Sequence, residues 1–175
     1  MNYITIYKAS LSDGFGWRVV LFVSGCDHKC PGCHNPQSWD SNYGKRFDET
    51  AKNYIYEALD KPEINGLTLS GGDPLYKTNI KELTEFCKEL KEKFPRKTIW
   101  LYTGNRYEDV KDLEIMQYVN VVVDGPYIKE LRDTTLKFRG SSNQRIICTS
   151  TGREVVFKGE SKNDSDQNTT NGTTS

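Results

Sequence analysis

Four short glycine-bearing loops recur along this chain, each closing a β-rich run: residues 25–35, 70–74, 103–105 and 124–126. The runs ahead of them are Trp17 to Ser24, Gly66 to Ser70, Thr98 to Tyr102 and Val119 to Val123. The first is an unbroken series of β-formers, as in a strand covered on both faces. Amphipathic stretches lie between the runs. Ala51, Tyr54, Ile55, Ala58 and Leu59 fall at helical spacing over 49–59, and Ile80, Leu83, Phe86, Cys87 and Leu90 do so over 79–93. Asn79 followed by Glu82 has the form of a capping box, and Pro95 ends that helix. A further helix is expected around 107–117 and a last strand at Gln144 to Cys148. This alternation predicts an α/β domain, a mainly parallel sheet with alternating helices. Right-handed crossovers put the strand C-termini, and so all four glycine loops, on one rim, where the sites of such sheets lie. An open sheet and a closed or partial barrel both satisfy the pattern.

The chain has 175 residues, enough for one domain with a real core. Residues 158–175 contain no apolar side chain and cannot bury enough surface to offset ordering entropy. The expected organisation is therefore a folded domain over 1–157 and a disordered polar tail over 158–175. Lys plus Arg and Asp plus Glu balance at 24 each, which argues against a nucleic-acid footprint or an electrostatic membrane anchor. The longest aliphatic or aromatic run, Val19 to Val23, is far short of a membrane span, and the N-terminus lacks the order of an export signal. A cytoplasmic protein is expected. Five cysteines, an odd number, fit a reducing compartment in which clustered thiols hold metal or do redox chemistry.

Three of those cysteines, Cys26, Cys30 and Cys33, form C-x3-C-x2-C in the first glycine loop. A closed zinc site needs four ligands, and His28, His34, Cys87 or Cys148 would have to supply the fourth. Cys87 continues the apolar face of the 79–93 helix and Cys148 lies in a strand-like run, so both read as small buried hydrophobes. Three thiolates suit an iron–sulfur cube with one iron left open, and the spacing favours that over zinc. A zinc-stabilised protein-binding module remains the reading from another class.

C-x3-C-x2-C directly after the first strand, with Gly71-Gly72-Asp73 after the next, resembles the radical S-adenosylmethionine superfamily. Cys26-Asp-His-Lys-Cys30-Pro-Gly-Cys33-His34-Asn35 resembles its glycyl-radical-activating branch. Leu69-Ser-Gly-Gly-Asp-Pro-Leu75, Val123-Asp-Gly-Pro-Tyr127 and Phe138-Arg-Gly-Ser-Ser-Asn-Gln-Arg-Ile146 are similar to stretches of the proteins that activate anaerobic ribonucleoside-triphosphate reductases. The likeness covers about 1–148. Asp73 replaces the glutamate of many superfamily members, and Gly32 stands where larger members place an aromatic residue.

The resemblance implies a partial β/α barrel and a 4Fe-4S cluster ligated by Cys26, Cys30 and Cys33, with S-adenosylmethionine on the open iron. The main chain at Gly32, Cys33 and His34 would approach adenine, and Gly71, Gly72 and Asp73 would receive the methionine amino end. The implied reaction is reductive cleavage of S-adenosylmethionine to a 5′-deoxyadenosyl radical, which generates a glycyl radical on the large subunit of the reductase. A flavodoxin-like electron donor and a homodimer fit the same resemblance. No general base is needed, and no catalytic side chain beyond cluster and cofactor is expected. Thr103, Asn105 and Asp124 are weaker candidates for the cofactor ribose or carboxylate, and Arg139, Asn143 and Arg145 for cofactor or partner. Activation of another glycyl-radical enzyme, or radical chemistry on a metabolite, is the alternative within the superfamily.

Overall fold

The computed structural model describes residues 1–157; the tail expected at 158–175 lies outside the described residues. The strands are β1 Asn2–Ser10, β2 Trp17–Val23, β3 Lys45–Arg46, β4 Ile64–Gly71, β5 Thr98–Tyr102, β6 Val121–Asp124, β7 Arg145–Cys148 and β8 Arg153–Glu154. The helices are α1 Glu49–Leu59, α2 Ile80–Lys93 and α3 Tyr107–Val110. All eight strands join one sheet in the order β3-β1-β2-β4-β5-β6-β7-β8.

The sheet is mixed rather than mainly parallel. β2, β4, β5 and β6 pair in parallel, whereas β1, β3, β7 and β8 add antiparallel edges. Strand β1 had no counterpart in the sequence reading. It reaches β2 through residues 11–16, too few for a crossover, so the pair must be antiparallel. β7 returns from β6 without an intervening α-helix, and it too runs antiparallel.

The helix expected around 107–117 is split into α3 and a 3-10 turn at Glu114–Gln117. Leu113 breaks it by adopting extended backbone (φ −67°, ψ 141°), yet Val110, Ile115 and Met116 still reach the core. The capping box is also not formed. Asn79 makes no side-chain cap; its Nδ2 donates instead to the Ser24 and Asp73 carbonyls at 2.8 and 3.1 Å. Glu82 accepts from Arg46 and pairs with the amine of Met1.

Because β2, β4, β5 and β6 are adjacent in sequence order, each right-handed crossover lays its helix on the same face. Leu21, Leu69, Leu101 and Val122 form one row across the strands and bury against Ile55, Leu83 and Phe86 of α1 and α2. The next row, Phe22, Ser70, Tyr102 and Val123, points to the face without helices. Trp100 on that face meets Phe15 and Phe138 edge-on at centroid distances of 5.6 and 5.5 Å.

Beneath them Arg18 is fully buried and uses its whole guanidinium. Nε donates to Thr68 Oγ1 (2.7 Å), Nη1 to Thr98 Oγ1 (3.0 Å) and the Phe15 carbonyl (3.3 Å), and Nη2 to the Leu67 and Thr98 carbonyls (2.6 and 2.9 Å). Burial pushes its pKa down to about 10. Arg18→Met keeps the length of the side chain but strands these acceptors. Relief of guanidinium desolvation offsets part of the loss, so chemical denaturation should report a destabilisation of about 2 kcal/mol. An unchanged midpoint would mean the five bonds contribute nothing net.

Candidate metal and cofactor site

All four glycine loops meet at one cavity of about 480 Å³, within the range of small-molecule sites. Cys26, Cys30, Cys33 and His34 come from the first loop, Gly71 and Gly72 from the second, Thr103 and Gly104 from the third, and Gly125 from the fourth. Phe22, Ser70 and Tyr102, the row pointing away from the helices, provide its base. Leu136, Phe138 and Arg139 complete the side nearest β7. The expected convergence on one rim is borne out.

The cysteine loop is tied down at its start, where Gly25 N donates to the Ser38 carbonyl (2.7 Å) and Cys26 N to that of Trp39 (3.4 Å). A turn inside it brings Cys33 N to the Cys30 carbonyl at 3.1 Å. All five cysteines are free thiols. Among the described residues, no three His, Cys, Asp or Glu side chains close into a metal-holding group; the three loop thiols border a shared cavity instead. Their chemistry fits an iron–sulfur cluster: three soft donors border one cavity that has space for a further ligand. Burial pushes the Cys26 thiol up from its ordinary value.

The remaining two cysteines stand apart from the loop thiols. Cys87 is fully buried in the helix-side core, where burial pushes its thiol up to about 12. Cys148 is only half-buried, contrary to expectation, and the Ser150 hydroxyl lowers its pKa. Neither lines the cavity.

Asp73 sits behind the cavity wall, 2% exposed, with its carboxylate already occupied. Oδ2 accepts from His28 Nε2 (2.6 Å), Thr103 Oγ1 (2.9 Å), Gly104 N (3.2 Å) and Asn105 Nδ2 (3.3 Å), and Oδ1 accepts from Leu75 N (2.8 Å). The Asp73 amide in turn donates to the Gly25 carbonyl at 2.8 Å. One carboxylate thus joins the first, second and third loops. The hydrogen bond to Asp73 raises the pKa of His28 against the opposing effect of burial.

Gly71 and Gly72 do line the cavity, but their need for glycine comes from the neighbouring chain. A Cβ on Gly71 (φ +102°) would lie 2.5 Å from Val23 N, and one on Gly72 would lie 2.5 Å from the Gly25 carbonyl oxygen. The ends of β2 and β4 approach too closely for any side chain.

Gly32 is exposed and lies outside the cavity lining, beside Lys129. His34 packs edge-on against Tyr127 at 5.6 Å. Asp124 is buried and turned to structure: it accepts from Tyr107 N (2.7 Å) and Arg145 Nε (3.1 Å), while Arg145 also binds Glu108. Asn143 donates to the Pro126 carbonyl at 2.8 Å. Trp39 borders the cavity, Trp100 is buried and Trp17 is exposed. The sequence reading passed over Phe22, Ser70 and Tyr102. Period-two alternation from Leu21, Leu69 and Leu101 carried that signal, since each is followed by a residue on the opposite face.

Residues 12–147 match the family model described as a 4Fe-4S single cluster domain. The anaerobic ribonucleoside-triphosphate reductase-activating protein of Enterobacteria phage T4 is 45% identical over 152 residues, covering 87% of this chain and 97% of the relative. The proteins of that name from Haemophilus influenzae and Escherichia coli K12 are 41% and 37% identical over 150 residues, covering 83% of this chain and 97% of each relative. With the cysteine loop, the glycine wall and the matched span coinciding, the chain belongs to the 4Fe-4S family of anaerobic ribonucleoside-triphosphate reductase-activating proteins.

Proposed function

We propose that this chain is the activating enzyme of an anaerobic ribonucleoside-triphosphate reductase, an oxidoreductase that generates the glycyl radical on that enzyme. The observation that carries this is the meeting of Cys26, Cys30 and Cys33 with the Gly71–Gly72 wall around one cavity. Cys26, Cys30 and Cys33 would hold a 4Fe-4S cluster, and the cavity they border would take S-adenosylmethionine. Given one electron from an external reductant, the bound pair would supply cleavage of the S-adenosylmethionine C–S bond to methionine and a 5′-deoxyadenosyl radical, for hydrogen abstraction from the reductase glycine.

The chain's own residues prepare that chemistry. Gly71, Gly72, Thr103, Cys33 and His34 all line the cavity that would receive the cofactor. Asp73 ties the cysteine loop to the loop after β5, Asp124 anchors Tyr107 and Arg145, and Gly32 turns the cysteine loop at φ +73°. Phe22, Tyr102 and Phe138 narrow the access of water. Tyr102 donates its hydroxyl to the Phe138 carbonyl at 2.9 Å, and burial keeps the phenol protonated.

Among the described residues no helix is long and apolar enough to cross a membrane. A cytoplasmic setting, a flavodoxin-like electron donor, a homodimer and a partial β/α barrel belong to the same reading. So does a single catalytic domain over 1–157.

Anaerobic protein loaded with iron and sulfide, mixed with a reductant, S-adenosylmethionine and the reductase, should give a glycyl-radical EPR signal. Deoxyadenosine without a protein radical would instead point to another substrate. One zinc per chain and no iron would sink the proposal in favour of a binding module.

A further inference from the structure

His28 lies between the first two cysteines, and two independent contacts fix its ring. Its Nε2 meets Asp73 Oδ2 at 2.6 Å, and because a carboxylate only accepts, that nitrogen carries the proton. The imidazole also rests directly on the main chain of Gly104: a Cβ there would lie 2.5 Å from His28 Cδ2 and 2.7 Å from Cγ and Nε2. Both partners belong to other loops, and the His28 side chain, 27% exposed, takes no part in either hydrophobic core.

We propose that His28 is a positioning residue that clamps the cysteine loop to the loop after β5. It thereby sets where the three thiols stand relative to the Gly71–Gly72 wall. This rests on the reading of Cys26, Cys30 and Cys33 as cluster ligands. The backbone anchors of the loop lie at its first residues, Gly25 and Cys26. The clamp acts beyond them, within the span that carries all three thiols. Without it, the loop must be ordered anew each time the thiols close on iron, and a loaded loop opens more readily. Gly104 is part of the same device, because a methyl group there occupies the space of the ring.

The test compares the full chain with His28→Ala, His28→Gln and Gly104→Ala after anaerobic loading with iron and sulfide. It records the rate of iron loss to a ferrous chelator and the melting temperature of each metal-free chain. Glutamine can offer an N–H donor to Asp73 in place of Nε2. The alanine variants at both positions should lose iron about 10-fold faster than wild type, as for other residues that hold ligands in place. His28→Gln should remain within about 2-fold. The metal-free melting temperature of His28→Ala should fall with the loss of its bond to Asp73, while every variant stays folded at the temperature of the release measurement. Wild-type release rates in both alanine variants overturn the proposal, as does a His28→Gln chain as leaky as His28→Ala. A wild-type chain that takes up no iron at all overturns the cluster reading itself.

Discussion

Cys30→Ala is expected to remove radical generation on the reductase, by more than about 100-fold, while leaving the fold intact. Residues that merely support metal ligands already cost 10–100-fold when changed, and a direct ligand costs more. No other thiol can take over. Cys87 is buried in the core on the far face of the sheet, and Cys148 lies on β7 outside the cavity lining. His28 is engaged by Asp73, and His34 rests against Tyr127. The fold should be indifferent, because Cys30 belongs to neither hydrophobic core. Iron analysis, glycyl-radical EPR and near-UV circular dichroism read the three parts separately. A variant that keeps even a tenth of the wild-type radical yield would show that Cys30 is not a ligand.

The second large effect is expected at Asp73. Asp73→Asn keeps the shape but replaces one acceptor oxygen by an N–H donor and removes the charge. Oδ2 faces four donors and Oδ1 faces the Leu75 amide, so either orientation of the new amide sets donor against donor. Loss of a buried, paired carboxylate costs about 3 kcal/mol. For a chain of this size that corresponds to roughly 6–12 °C in melting temperature.

The pH dependence of this penalty follows from His28, whose folded-state pKa is raised by Asp73 above the ordinary 6.5. A raised histidine adds stability that is fully present below the unfolded value and is lost as pH rises through the folded value. The penalty should therefore be largest on the acid side of that interval. Proton NMR offers a direct check: with two histidines in the chain, one resonance should titrate lower in the variant. A melting temperature within a degree of wild type would exclude the hub role.

How much of this was legible in the sequence follows from which interactions are local. The elements β2, β4, α1, α2 and β5 matched their hydrophobic periods within one or two residues, because each buries one face against a single core. The helix expected at 107–117 failed at Leu113, where packing of Ile115 and Met116 prevails over continuation of the helix. The antiparallel edges were hidden because they depend on connections that the alternation of strand and helix does not encode.

At the site, the three thiols and the glycine wall were readable as motifs. The bonding of Asp73 was not, since its partners come from positions 25, 28, 75, 76, 79, 103, 104 and 105. Asn79 shows the same limit. Its spacing to Glu82 resembled a helix cap, but tertiary contacts give its amide to Ser24 and Asp73.

That spread of partners around Asp73 also bears on the order of events during folding. The cysteines span a short segment, but the groups that seat their loop arrive on β2, β4 and β5, and these strands must align before the carboxylate finds its donors. Contacts of such sequence separation form late. The larger hydrophobic core lies on the opposite face and takes no residue from the cysteine cluster, in contrast to zinc fingers, where metal and fold appear together. On the proposed cluster reading, the sheet would assemble first and the finished rim would then receive its metal.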